Sequence, residues 1–528
     1  MEWIRQQVVR PLAGVDAAFN RLYGWRYNPL YHSGSIAAAL LLVLIVTGVY
    51  LLIFYRLGSP YESVARITEQ DWTGRWIRTL HRYASDAALV AVAVHAFRMF
   101  AQRRSWGPRA LAWVSGLFAL FFFFASGWTG YVLVWDSQAH LMAVAGARLL
   151  DVLPIFSEPI GRTFVGERPM PGAFFFINFF LHVALPLGVG LILWIHVARV
   201  ARPRLLPPRR LTWSVVGALF ATSVLWPISM APEADLLRVP AAAPLDLFYG
   251  FWIPLMNEVP LGVVWAAFLA VTLGLLLIPA WSQPPAAEQP APSVVDERSC
   301  TGCEQCYHDC PYEAISMVER ADGREGMVAR VDSSLCVSCG ICAGSCAPMV
   351  VGPPGRSGRD QLIAVRELVA ERPPATGEVV VIACVRGAGG LAGAPGDLEG
   401  ARLHPVRCAG SLHTSVIEQY LRSGAAGVMV VACPATDCWN REGGKWVEAR
   451  MFHEREAELQ QRVDRDHVHL AFAGVADRGA VLRELREFRA RLARSAAPDP
   501  DPDIDLLALC DRAPGADAAD RTGTPEAP

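Results

Sequence analysis

The first 282 residues hold five apolar stretches without a charged residue: Ile36–Phe54, Ala110–Trp135, Met170–His196, Leu211–Pro232 and Val259–Ile278. A helix needs about 20 such residues to cross the hydrocarbon core of a bilayer, so each predicts a transmembrane helix. A sixth candidate, Trp76–Phe100, is interrupted by Arg78, Arg82, Asp86 and Arg98. The expectation is an all-α bundle of six transmembrane helices over residues 1–282. Of 528 residues, 53% are hydrophobic and 19% charged, with a mean hydropathy of +0.28. That balance disfavours a wholly soluble protein and excludes disorder throughout. A net charge of −2 gives no reason to expect nucleic acid as a partner.

All 13 cysteines lie between Cys300 and Cys510, so a cysteine-free apolar front is joined to a polar, cysteine-bearing back. Arginines orient the front. The second inter-helix loop carries Arg98, Arg103, Arg104 and Arg109, and the fourth Arg199, Arg202, Arg204, Arg209 and Arg210, neither with an acid. The fifth holds Glu233, Asp235, Asp246 and Glu258 against Arg238. The positive-inside rule puts the second and fourth loops and both termini in the cytoplasm. Everything after Trp281 then lies where thiolates stay reduced and can hold metal. The expected location is a bacterial or archaeal cytoplasmic membrane. Met1–Arg26 is dotted with arginine and lacks the apolar core of a cleavable signal peptide.

Four histidines repeat one interval. His81 and His95 are 14 residues apart on the second helix, and His182 and His196 are 14 apart on the fourth. Fourteen residues is nearly four turns, so each pair shares a face, its members about 21 Å apart along the axis. The two helices run in the same direction, which matches His81 with His182 in depth and His95 with His196. Two imidazoles facing at one depth are axial ligands for a b haem, here at two levels. Gly34 and Gly48 on the first helix, and Gly116 and Gly130 on the third, repeat the interval and are expected to let porphyrins lie against bare backbone. The plainer alternative is interfacial histidines and ordinary helix-packing glycines.

With Trp76-Ile77-Arg78-Thr79-Leu80-His81-Arg82 and Thr129-Gly130-Tyr131-Val132-Leu133-Val134-Trp135, residues 20–282 resemble the cytochrome b of quinol:cytochrome c oxidoreductases and its plastid counterpart. The resemblance implies two b haems, a quinone site, a homodimer through this part, and an Arg78 that meets a haem propionate rather than anchoring at the membrane surface. It departs from that family at the quinol-oxidising Pro-Glu-Trp-Tyr motif, where Pro244-Leu245-Asp246-Leu247 stands and Asp246 is the candidate proton acceptor. A third, cysteine-attached haem has no cysteine here. Asp86, inside a helix, is a second functional candidate, or else the partner of a nearby arginine.

A Pro/Ala linker, residues 283–293, leads to Cys300-x2-Cys303-x2-Cys306-x3-Cys310-Pro311, and the spacing returns at Cys336-x2-Cys339-x2-Cys342-x3-Cys346. This is the bacterial two-cluster ferredoxin pattern, in which the fourth cysteine of each run serves the other cluster. Cys300, Cys303, Cys306 and Cys346 then hold one [4Fe–4S], and Cys336, Cys339, Cys342 and Cys310 the other, in an α+β domain over 294–354. Zinc rarely uses this duplicated spacing.

From 376 to 495 the pattern is α/β, with strands at Val379–Ala383 and Val428–Ala432, helices at His413–Arg422, Lys445–Arg462 and Arg478–Ala493, and a disordered tail over 496–528. Cys384, Cys408, Cys433 and Cys438 fall at strand ends or in the loops after them, and spacing alone names no metal. Ala383-Cys384, Val406-Arg407-Cys408-Ala409-Gly410 and Gly424–Cys438 resemble the delta subunit of methyl-viologen-reducing hydrogenase. That implies one [2Fe–2S] on these four cysteines, with Gly387 where the family often has another, and a separate cytoplasmic partner such as a hydrogenase or heterodisulfide-reductase-like flavoprotein. Cys510 is read as uninvolved.

No dinucleotide fingerprint, phosphate loop or nucleophile–base pair is present, and every recognised element handles single electrons. The expected function is a membrane-bound electron-transfer subunit linking a cytoplasmic partner, through the clusters and two b haems, to the quinone pool. A bc-type quinol oxidase core is the alternative, against which the missing Glu argues. A membrane redox sensor is another, against which the missing output domain argues.

Overall fold

The computed structural model describes residues 2–154, 158–198, 205–238, 246–285, 288–387, 398–453, 455, 457–474 and 477–495. The tail from 496 with Cys510, the arginines Arg199, Arg202 and Arg204, and Pro244-Leu245 lie outside the described residues.

The front is helical: α1 Glu2–Tyr23, α2 Ser33–Phe54, α3 Pro60–Glu69, α4 Gly74–Ala101, α5 Ala110–Val132, α6 Ser137–Asp151, α7 Gly172–Ala198, α8 Arg209–Leu225, α9 Leu255–Glu258 and α10 Leu261–Ser282. Five of these are long and apolar enough to cross a membrane: α2, α4, α5 with the short turn before it, α7 and α10. Their outward faces are apolar, with Val46, Ile53, Leu187 and Trp194 each about 70% exposed or more, as lipid contact requires. The chain is thus a multi-pass membrane protein. The charge-interrupted candidate is the 28-residue α4, whose Arg82, Asp86 and Arg98 are neutralised in ion pairs. The sixth expected span is the shorter one. α8 has 17 residues, about 25 Å, and stops at Leu225 because Trp226 precedes Pro227 and takes φ −131°, ψ 69°. α2 packs along α4 and α5 along α7, and the two pairs face each other.

The ferredoxin part comprises β1 Val294–Val295, α11 Gln305–Asp309, β2 Ile315–Glu319, β3 Met327–Val331, α12 Ile341–Ser345 and β4 Val351–Gly352. β1 pairs antiparallel with β4 and β2 with β3. Its duplication is visible in the backbone. Each short helix starts one residue after a left-handed turn, Glu304 at φ 63° and Gly340 at φ 79°, at the same place in the two cysteine runs.

After the connecting helix α13 Gly358–Glu371 come β5 Val379–Cys384, β6 Arg402–Val406, α14 Thr414–Arg422, β7 Gly427–Ala432, α15 Gly443–Phe452, β8 Val468–Phe472 and α16 Arg478–Ser495. The four strands form a parallel sheet in the order β6-β5-β7-β8. β5 and β7 are buried along their whole length, which their unbroken aliphatic runs anticipate. The edge strands β6 and β8 escape pattern reading because His404, Pro405 and His469 interrupt the apolar signal, and an edge tolerates proline. The helix expected to reach Arg462 ends at Phe452, where the chain doubles back and Leu459 N–H donates to the Arg450 carbonyl at 3.0 Å.

A buried ionic cluster ties the two soluble domains together. Asp309, fully buried, accepts from Ser345 Oγ at 2.6 Å and from Arg455, and Arg450 Nη1 lies 3.7 Å from it. Arg450, 1% exposed, also donates to Ser345 Oγ at 2.9 Å and to the Gly410 carbonyl. Removing one partner of a buried pair strands the other charge. Asp309→Ala is expected to destabilise the soluble part by about 3–5 kcal/mol, read as a lower denaturation midpoint of the full-length protein than wild type.

Candidate redox centres

Each histidine pair meets across the bundle. The His81 and His182 ring centroids are 6.2 Å apart with planes at 64°, and those of His95 and His196 are 6.4 Å apart at 71°. Two metal–nitrogen bonds of about 2.0–2.1 Å, with two ring half-widths of roughly 1 Å each, sum to about 6 Å. One metal ion therefore fits between the rings of each pair. The outer ring nitrogens fix the tautomer. His182 Nδ1 is 2.8 Å from the Ser126 carbonyl, which can only accept, so Nδ1 carries the proton and Nε2 the lone pair. Thr47 Oγ1 gives its hydrogen to the Val43 carbonyl at 2.7 Å and so accepts from His81 Nδ1 at 2.8 Å. Ser115 Oγ, donating to the Ala112 carbonyl at 3.1 Å, accepts from His196 Nδ1 at 3.2 Å.

The four glycines face these rings. A Cβ on Gly130 would lie 2.7 Å from His182 Cε1, on Gly34 2.9 Å from His95, on Gly116 3.2 Å from His196 and on Gly48 3.3 Å from His81. Each bare backbone thus lies against an imidazole ring. The shared interval follows, because a glycine helix packed beside a histidine helix must repeat in step with it.

Arg78, one turn before His81, is buried at 9% exposure and reaches the Ile228 carbonyl at 3.4 Å. Asp86 and Asp246, distant in the chain, converge on Arg82. Tyr131 donates to Asp246 Oδ2, which also pairs with Arg82 at 2.7 Å, while Oδ1 accepts the backbone N–H groups of Phe248, Tyr249 and Gly250. Both carboxylate oxygens of Asp246 are therefore engaged.

Cys300, Cys303, Cys306 and Cys346 line a single cavity, the set expected from the crossed pattern. Cys342 neighbours Cys310 and Cys336, and Cys339 neighbours Cys342 and Cys310. The two crossing cysteines are held alike, Cys310 Sγ accepting from Ala314 N–H at 3.4 Å and Cys346 Sγ from Val350 N–H at 3.3 Å. Burial pushes the Cys306 thiol up and Cys342 up to about 12, so thiolates here require a bound cation. Among the described residues no three His, Cys, Asp or Glu side chains gather at single-ion spacing. Cluster thiolates, by contrast, each meet a different iron.

Four further cysteines sit at or beyond the carboxyl ends of the parallel strands. Cys384 ends β5, Cys408 follows β6, Cys433 follows β7, and Cys438 lies before α15. Cys433 Sγ donates to Cys384 Sγ at 3.4 Å. A Cβ on Gly443 would fall 2.8 Å from Cys408 Sγ, and one on Gly387 2.9 Å from Cys433 Sγ, so backbone closes over the sulfurs at both positions. Burial raises Cys408 to about 12, while the neighbouring Cys433 thiol, backbone N–H groups and Arg104 draw Cys438 below the ordinary thiol value. Around the pocket, Arg104, Arg109 and Arg386 lie 5.4, 5.1 and 3.7 Å from the Trp439 ring centroid. Buried Arg104 Nε and Arg109 Nη1 have no hydrogen-bond partner among the described residues. An anionic four-thiolate iron site suits such surroundings. Sequence reasoning misses this collar because Arg104 and Arg109 of the second loop read as a topology signal, and nothing in the sequence joins Arg386 to them.

Comparison with known proteins agrees with three separate origins. Residues 23–203 match the family described as Cytochrome b/b6/petB, 299–349 the 4Fe-4S dicluster domain, and 397–494 the delta subunit of methyl-viologen-reducing hydrogenase. The first match ends just past α7, leaving α8 and α10 outside it; the third leaves out Cys384. The menaquinol:cytochrome c reductase cytochrome b subunit of Bacillus subtilis is 26% identical over 173 residues, 30% of this chain and 77% of that one. Cytochrome b6 of Heliobacterium mobile is 28% identical over 162 residues, 29% and 74% of the two chains, and cytochrome b of Acanthamoeba castellanii 30% over 171 residues, 32% and 44%. The chain therefore joins a cytochrome b/b6 domain, which implies haem b, to a 4Fe–4S dicluster domain and a hydrogenase-delta domain in one membrane electron-transport protein.

Proposed function

We propose that this protein is the quinone-reactive electron-transfer subunit of a membrane oxidoreductase, connecting a cytoplasmic hydrogenase or heterodisulfide-reductase-like flavoprotein to the quinone pool. The observation that carries it is the pair of imidazole couples, each at metal-bridging separation between α4 and α7, with the last turn of α4 meeting the cysteine-rich domains. His81 with His182, and His95 with His196, hold two b haems. Thr47, Ser115 and the Ser126 carbonyl orient the rings, the four glycines admit them, and Arg78 meets a propionate. The eight ferredoxin cysteines hold two [4Fe–4S] clusters and Cys384, Cys408, Cys433 and Cys438 one [2Fe–2S]. Bound, these groups supply reversible one-electron exchange. The arginine-rich loops favour a cytoplasmic position for the soluble domains and for the His95/His196 level, where quinone takes its protons from the cytoplasm. The resemblance to cytochrome b implies a homodimer through that part.

Quinol oxidation at the His81/His182 side is a second reading, favoured by the meeting of Asp86 and Asp246 on Arg82. Against it, Asp246 has no unengaged oxygen to take a proton. Asp246→Asn and Asp86→Asn are expected to keep quinone-dependent haem reoxidation near the wild-type rate. Its loss in Asp246→Asn with both haems present would establish the second reading instead.

Intact protein is expected to contain about ten non-haem irons per chain with two b haems. Iron analysis with electron paramagnetic resonance checks this, and zinc stoichiometric with Cys433 and Cys438 would refute the smaller cluster. His95→Ala should remove one haem and spare the other. The glycine variants should grade with the contact each Cβ makes. Gly130→Ala and Gly34→Ala should lose or perturb a haem, while Gly48→Ala and Gly116→Ala should keep both with small shifts, read from reduced b-type absorbance. A preparation with full cluster content and no b-type absorbance would sink the haem assignment.

A further inference from the structure

Three residues beyond His95 on α4, Arg98 is 2% exposed and pairs with Asp16 on α1. Its Nη2 donates to Asp437 Oδ1 at 2.9 Å. Gln102 Nε2 donates to the same oxygen at 2.8 Å, and Arg104 Nη2 donates to the Asp437 carbonyl at 3.1 Å. Asp437 is bonded to Cys438. At another edge of the same pocket, Cys408 packs with Ile341 and Trp446 in one buried cluster that Cys339 of the ferredoxin adjoins. The four-cysteine pocket thus touches the ferredoxin at one edge and the helix of His95 at the other. The ferredoxin also meets the bundle directly, where Arg109, at the start of α5 and two turns from the Gly116 that admits His196, donates to the Tyr312 hydroxyl.

We propose that the four-cysteine pocket is the junction between the iron–sulfur side and the cytochrome, with Asp437 the positioning residue that fastens it to α4. This rests on the ligand sets proposed above. The order in space then runs from the Cys300 set to the Cys336 set, to the Cys384 set, to His95/His196. One electron and no proton crosses at each contact. The donor is a low-potential one-electron reductant in the aqueous phase, and the acceptor is the ferric haem held by His95 and His196, which becomes ferrous.

The test uses full-length protein in lipid nanodiscs mixed with reduced methyl viologen. Haem reduction is followed by absorbance and cluster reduction by freeze-quench electron paramagnetic resonance. A Cys303→Ala/Cys339→Ala/Cys438→Ala triple variant supplies the rate of direct viologen-to-haem transfer. Cys438→Ala is expected to fall to that background, about tenfold or more below wild type, while both ferredoxin clusters reduce as fast as in wild type. Asp437→Ala keeps all four thiols. It should slow haem reduction without changing the cluster spectra, and should raise the midpoint potential of one haem only, because a carboxylate is lost beside Arg98. A wild-type haem rate in Cys438→Ala means that the ferredoxin feeds the cytochrome through Tyr312 and Arg109, and the junction is overturned. If Cys438→Ala does not accumulate, an unchanged rate and potential in Asp437→Ala overturns it equally. Wild type no faster than the background would instead defeat the electron-transfer function itself.

Discussion

Two imidazoles facing each other inside an apolar bundle impose the arrangement of the whole membrane part. Each ring must present one nitrogen to a shared point, so its other nitrogen needs a polar partner where water is absent. For His81, His182 and His196 the bundle supplies hydroxyls and a carbonyl from the neighbouring helix: Thr47 on α2, Ser115 and Ser126 on α5. For that neighbour to come so close, it must lack a side chain opposite the ring. Hydrogen-bond partner and glycine therefore occur together on α2 and α5, and α2 packs on α4 and α5 on α7 for one shared reason.

Charge is handled differently at the two ends of α4. Near His81, Arg82 gathers Asp86 and Asp246 into a largely internal network beside Tyr131. Near His95, Arg98 spends one arm on Asp16 of α1 and the other on Asp437 of the C-terminal domain. Both arginines are too enclosed to stand alone. The first pairing closes the bundle on itself, whereas the second makes burial of the Arg98 guanidinium conditional on the soluble domain being seated. α1 and the turn after it reinforce the seat, with Asn20 donating to Asp477 at 2.8 Å and the Trp25 and Phe472 ring centroids 5.4 Å apart. Docking is thereby coupled to the satisfaction of a buried charge, not left to apolar contact alone.

Much of this is legible from residue intervals. Runs without charge locate the spanning helices, and the 14-residue interval locates the rings, because a straight helix converts sequence distance into depth with little freedom. The glycines were visible but their partners were not. In antiparallel neighbours Gly48 meets His81 and Gly34 meets His95, a reversed register that one helix alone does not encode. The end of α8 depended on Pro227, a local stop that a hydropathy run passes over. Asp86 and Asp246 share Arg82 only through folding, and strands β6 and β8, short and at the sheet edges, lack the length and alternation that make a strand readable. The arginines of the second loop, which the sequence offers as an orientation signal, also dock a domain, and only the first use has a sequence rule.

The order of domains along the chain is not their order in space, and the physical reason lies in the termini of the parallel strands. A parallel sheet gathers the loops after its strands at one end, which brings Cys384, Cys408, Cys433 and Cys438 together and leaves Asp437 and Trp439 projecting beside them. That end is the part of the domain with backbone available for contacts in two directions. One side takes the Ser345 and Asp309 face of the ferredoxin through Arg450, whose guanidinium fills the space beside Gly344 and Gly410. The other takes the arginines that close α4. The ferredoxin, tethered directly after the last membrane helix by a short Pro/Ala segment, meets the bundle where Arg109 donates to the Tyr312 hydroxyl. A domain late in the chain can thus stand closest to the membrane helices, because contact density follows from which end of a fold carries the loops and not from proximity in sequence.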